Sequence, residues 1–212
     1  MVAKTGKERF LSLCGSGIEV FEERSPDEQN TVLDALQQFK DSSKVESLKQ
    51  SVLGTPSQIT LPALIKPCNP KGFFRTGQGL YIWKNFTDKI LSVTKTVKSL
   101  PVLAIYSFDL AVAATDTEIR NELPQGHVWQ DASAFCGYLV GIIQRQANGE
   151  EEGILLNNGY ANIFYVVGKN SEVFVVRVSW DSDYREWSVG ACLLGVRLWR
   201  AGRRAFSATA VA

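Results

Sequence analysis

The sequence predicts an α+β fold: a C-terminal antiparallel β-meander packed on a long helix, with an N-terminal helical hairpin. Three observations predict it. Helix-start signals crowd the first quarter of the chain, beginning with "SPDE" at 25–28. Residues 131–147, "DASAFCGYLVGIIQRQA", carry apolar residues at helical spacing. After "EEE" at 150–152 the apolar period changes from about 3.6 to 2, the mark of strands. The expected division is a hairpin region over 1–60 and an α+β domain over 61–212.

Each element follows from its residues. In "SPDE", Ser25 stands at an N-cap, Pro26 at the first helical position and Glu28 where a carboxylate can reach back to the cap amide. Val32, Leu33, Leu36 and Phe39 then form one stripe. A second box, Ser43 with Glu46, opens a helix bearing Val45, Leu48 and Val52, which Gly54 stops and Pro56 forbids to resume. Residues 55–80 hold Pro56, Pro62, Pro67, Pro70, Gly72, Gly77 and Gly79, and read as a connector. "GLYIW" and "PVLAIYSF" read as strands that join the sheet. "TDTE" at 115–118 is a third capping box.

The helix at 131–147 contains Gly137 and Gly141, a pair of small residues that points to close packing of the helix on a sheet. "EVFVVRVSW" places Phe174, Val176, Val178 and Trp180 on one strand face. "REWSVGACL" does the same for Trp187, Val189, Ala191 and Leu193, and "DSDY" joins the two runs as a hairpin. Both tryptophans fall on the apolar faces, which assigns them to the core.

Composition narrows the function classes. With 45% hydrophobic and 21% charged residues, the 212-residue chain is too apolar for a disordered segment. A net charge of +1 creates no global field toward nucleic acid or membrane. Locally the balance differs: 61–109 nets +5, 110–176 nets −5 and 177–212 nets +3. Cys14, Cys68, Cys136 and Cys192 are widely spaced and the chain has one histidine, so no zinc-site spacing exists and no metal or cofactor is expected. Unpaired thiols suit a reducing cytosol. The most apolar run, "LPVLAIYSFDLAVAA", is broken by Pro101 and Asp109 and is shorter than a membrane span needs, so a cytoplasmic protein without a membrane partner is expected.

Catalytic signals are sparse. His127, in "PQGHVW", is the lone candidate for a general base. "GFFRTGQG" at 72–79 starts like a phosphate loop, but Gln78 stands where the lysine belongs and Gly79 where the hydroxyl belongs. Asp181 and Asp183 read as turn formers rather than calcium ligands. The C-terminal "RLWRAGRRAF" interleaves Arg197, Arg200, Arg203 and Arg204 with Trp199 and Phe206. Arginines pair phosphates and aromatics stack on bases, so Arg197, Trp199, Arg200, Arg203 and Arg204 form the expected binding set.

Several blocks, "KPCNPKGFFRTGQGLYIWKNFTDKIL", "TDTEIRNELPQGHVW", "LLNNGYANIFYV" and "REWSVGACLL", resemble a bacterial family of short hypothetical proteins. The resemblance spans roughly residues 66–207 and implies a stand-alone bacterial cytosolic protein. It supplies no activity, cofactor or catalytic residue. Two function classes follow. The first is a non-catalytic interaction module for a protein or nucleic-acid partner, favoured because no catalytic constellation is present. The second is a small hydrolase or transferase with its site near His127 or the 72–79 loop.

Overall fold

The computed structural model describes residue 25, residues 27–28, 30–34, 51–147, 149 and 153–208. The chain divides into two compact units, Met1–Gln50 and Ser51–Ala212. In the first unit the Glu28 carboxylate accepts from the Ser25 amide at 3.0 Å and from its hydroxyl at 2.8 Å, so the reach-back half of the first capping box forms. Leu33, on the expected stripe, is buried. The second box, Ser43 with Glu46, lies outside the described residues.

The second unit opens differently from expectation. Residues 51–53 are not helical. Leu53 bridges Leu110, and the Glu122 carboxylate accepts from the amides of Val52 and Leu53 at 2.9 and 3.0 Å. A distant carboxylate thus takes the amide bonds that a helix would have used.

The sheet that follows overturns the expected α+β meander. The second unit is mixed α/β, built on a seven-stranded sheet with both parallel and antiparallel pairs. Its strands are β1 (Ser57–Leu61), β2 (Leu80–Ile82), β3 (Leu103–Asp109), β5 (Asn162–Val167), β6 (Val173–Asp181), β7 (Glu186–Leu193) and β9 (Arg204–Ser207). Their order is β1-β3-β9-β5-β6-β7-β2. A small ribbon pairs β4 (Ala114–Thr115) with β8 (Leu198–Trp199). The β5-β6-β7 stretch is antiparallel, but β9 runs parallel to β5 and β2 runs parallel to β7.

Four helices complete this unit among the described residues: α1 (Pro70–Phe73), α2 (Lys84–Lys89), α3 (Asp116–Glu122) and α4 (Ala132–Arg145). The supposed connector over 55–80 therefore holds β1, α1 and the start of β2. The "TDTE" box forms in full at the head of α3, with Thr115 and Glu118 each satisfying the other's amide.

Both faces of the sheet are covered, which a two-layer meander would not require. On one face Phe135, Leu139 and Ile143 of α4 pack over Phe164, Val176 and Val178. On the other, Ile119 of α3 joins Leu110, Ile163, Tyr165, Val175 and Trp199. β5 accordingly has five buried residues in succession and no alternation. Trp180 and Trp187 are cross-strand partners with ring centres 5.3 Å apart, both buried. The Trp187 indole donates to the Gln146 carbonyl at 2.7 Å. Asp181 Oδ1 accepts from the amides of Asp183 and Tyr184, so the aspartate is the turn former the sequence suggested. Among the described residues no helix is long and apolar enough to cross a membrane.

Candidate functional site

The covering layer stops short of one part of the sheet. β6 turns Val175, Arg177 and Ser179 to the face opposite α4, and in register beside them β7 places Cys192, Gly190 and Ser188. Val175 is buried by the α3 side, whereas Arg177 and Ser179 are half-buried. Tyr81 pairs with Ser188, and the next odd residue, Trp83, follows β2 with its amide donating to the Val189 carbonyl. Its indole nitrogen donates to the Ser188 hydroxyl at 2.8 Å.

Gly190 makes this arrangement possible. A methyl group there would lie 3.2 Å from the Trp83 ring, so the missing side chain lets the indole lie close to the sheet. The Arg177 guanidinium then sits 6.0 Å from the Trp83 ring centre. Tyr81 meets the same ring edge-on at 5.1 Å.

On the far side of Arg177 is a cleft of about 190 Å³ lined by Arg177, Arg197, Arg203 and Ser179, with Gly159 and Trp199 in its wall. A smaller hollow of about 100 Å³ lies beside it, between Trp83, Asn85 and Cys192. Arg177 and Arg197 border both. No carboxylate lines either one. Arg203 lies over the Tyr160 ring at 5.5 Å, and its Nη1 is buried with no hydrogen-bond partner.

The electrostatics are those of uncompensated positive charge. Burial lowers the pKa of Arg177, and the cations Arg197 and Arg203 lower it further. Burial also lowers that of Arg203, with Arg200 adding to it. Burial pushes the Cys192 thiol up, with Asp116 adding to it, against the pull of Arg197 and Arg177.

The expected binding residues have different fates. Arg197 and Arg203 line the cleft, and Arg200 is exposed next to Arg203. Trp199 is buried, and its indole donates to Asp116 at 2.7 Å. It offers no stacking face, because the buried Asp116 carboxylate holds the ring inward, accepting also from the Gly195 amide and the Tyr165 hydroxyl. Arg204 grips Asp109 through two bonds of 2.7 and 3.1 Å, so its charge is already matched. Phe206 stacks on Phe164 in the core at 4.5 Å.

The structure places the two catalytic candidates in different surroundings. His127 Nδ1 donates to the Pro124 carbonyl at 2.9 Å, and its Nε2 accepts from Arg120 at 3.2 Å. Neither partner is a carboxylate or thiol. The 72–79 loop borders a groove of about 490 Å³, and several of its amides are taken by the chain itself. Those of Gly72 and Phe73 donate to Asn69, and that of Gly77 to Leu80. Among the described residues no three metal-ligating side chains converge.

The sequence reading missed Arg177, Trp83 and Gly190. One signal was present: an arginine at the centre of "VFVVRVSW", where a strand covered on both faces would carry an apolar residue. No protein-family model matches the chain, and no curated protein or solved structure does either.

Proposed function

We propose that the protein is a non-catalytic interaction module that holds an anionic group of a macromolecular partner between Arg177, Arg197 and Arg203. One observation carries this reading. Three guanidinium groups share a cleft with no carboxylate in its lining, and a buried nitrogen of Arg203 has no partner. Gathering like charges and burying part of them is unfavourable unless an anion compensates. The lining of the cleft also holds no histidine or carboxylate to act as a general base. Exposed Leu198 in its lining and Val196 beside Arg197 suit contact with a partner. A bacterial cytosol, where Cys68, Cys136 and Cys192 stay free, is the setting we assign.

The test is thermal melting of the full chain with tripolyphosphate. At about a hundredfold excess over Kd, a ligand binding only the folded state adds about 2.7 kcal/mol, a rise of roughly 5–10 °C for a chain of this size. Arg197→Glu, at an exposed position, should abolish the rise and leave the unliganded melting temperature within about 2 °C of the parent. No rise in the parent, or an equal rise in the variant, would remove the cleft as the site.

A further inference from the structure

We infer that the occupant of the arginine cleft is a single strand of nucleic acid, with a phosphate among Arg177, Arg197 and Arg203 and an unstacked base on Trp83. This rests on the anion-binding reading of the same cleft and names the class of anion.

The inference comes from what flanks the arginines. One row across the sheet runs Ala205, Ile163, Arg177, Gly190 and then Trp83. Trp83 therefore stands about two strand spacings, roughly 10 Å, from the Arg177 backbone. At the opposite side Tyr160 lies under Arg203. Trp83, Tyr81 and Tyr160 are 42%, 39% and 45% exposed, unlike the other tryptophans of the described residues, which are buried. Rings exposed to this degree leave a face available to a flat partner.

A ring flanks a guanidinium at each end, Trp83 beside Arg177 and Tyr160 beside Arg203. A single strand offers the matching alternation, since its phosphates repeat along the backbone and its base faces are free. A duplex hides those faces in its stack, and a cleft of about 190 Å³ is small for two strands. An acidic peptide supplies charge but no planar surfaces to match Trp83 and Tyr160. Ser179 in the cleft, and Asn85 in the adjoining hollow, add polar contacts that do not depend on base identity. Binding should therefore be largely indifferent to sequence.

The experiment is fluorescence anisotropy of a labelled dodecameric oligothymidylate with the full chain over a range of salt. One phosphate held among the three arginines predicts a slope of log K against log salt of about −0.7. Arg197→Glu should weaken binding and flatten that slope. Trp83→Leu keeps an apolar contact on Gly190 but removes the stacking face. It should weaken binding at least about fivefold with the slope unchanged. Tyr160→Leu repeats the test at the other end, should Trp83→Leu lose the fold by circular dichroism.

A duplex of equal length should bind more weakly, and so should a glutamate-rich or phosphorylated peptide. Equal or tighter binding of the duplex or a peptide overturns the single-strand assignment, as does full affinity in the folded leucine variants. Tripolyphosphate separates the two levels. If it competes while the leucine variants bind normally, the cleft takes anions but not bases. If neither it nor the oligonucleotide binds, the anion reading fails as well.

Discussion

His127 is held neutral in the folded protein because its two nitrogens meet opposite demands. Nδ1 donates to the Pro124 carbonyl, so Nε2 is left to accept from Arg120. A second proton would remove that acceptor and set two cations against each other. Burial lowers the pKa most and Arg120 lowers it further, against the pull of the Pro124 carbonyl. The folded value thus lies below the ordinary 6.5, and the unfolded chain binds the proton more readily. This stabilisation is complete above about pH 6.5 and is lost as the pH falls through the folded value. Urea midpoints measured from about pH 7 to 5.5, above the range of ordinary carboxylates, should fall in the parent and fall less in His127→Gln. Equal losses would assign the effect to another group. At this scale, residue type was a better guide than residue position. The sequence pointed to arginines and aromatics, and the proposed site draws on both classes. It replaces buried Trp199 with exposed Trp83 and paired Arg204 with Arg177. Which arginine already has a carboxylate is decided by β9 lying beside β3, a contact 95 residues apart in the chain.

Within elements, the helix α4 shows how one pattern hides two roles. Gly137 and Gly141 sit one turn apart, and the sequence assigned both to close packing on a sheet. A methyl group at Gly137 would lie 2.8 Å from Leu100 Cδ1 and 3.6 Å from Leu64 Cδ2, so that glycine admits the segments leading into and out of the β1-β3 pair. At Gly141 a methyl group meets nothing within 4 Å. It borders a groove of about 240 Å³ against Leu61 and Leu64. Gly141→Ala should therefore gain about 0.5–1 kcal/mol from helix propensity alone. Gly137→Ala should gain nothing or lose stability, because overpacking costs about 1–3 kcal/mol. Urea denaturation of the two variants checks the contrast. Elements with a local cause were legible: the Thr115 capping box, the Asp181 turn, the alternation of β6 and β7, and the apolar stripe of α4. The helices α1 and α2, four and six residues long, are shorter than the apolar period needs to declare itself, and they lie in a Pro- and Gly-rich stretch.

At the scale of the molecule, the two-layer expectation failed on non-local pairing. Strands adjacent in sequence were assumed to be adjacent in space, which holds for β5, β6 and β7. It fails for β2, which crosses to the outer edge of β7, and for β9, which enters between β3 and β5. Nothing in the four residues "RAFS" states where they pair. Their worth comes from position. β9 joins β1-β3 to the remaining four strands of the sheet, and Ala205 and Phe206 are fully buried on its opposite faces. A chain ending at Gly202 should lose cooperative unfolding and aggregate, since β3 and β5 would each present a bare edge. A chain ending at Ala208 should unfold in one transition. Circular dichroism and sedimentation distinguish these outcomes, and cooperative unfolding of the shorter chain would show that β9 is dispensable.

The placement of β9 also sets the timing of folding. Synthesis proceeds from the N-terminus, so the ribosome releases β1 and β3 long before the strand that must lie between them and β5. Until Ser207 emerges, the nascent sheet is two incomplete pieces with open edges, and hairpins such as β6-β7 can form only as isolated parts. The sheet of the second unit therefore cannot close until β9 has left the ribosome.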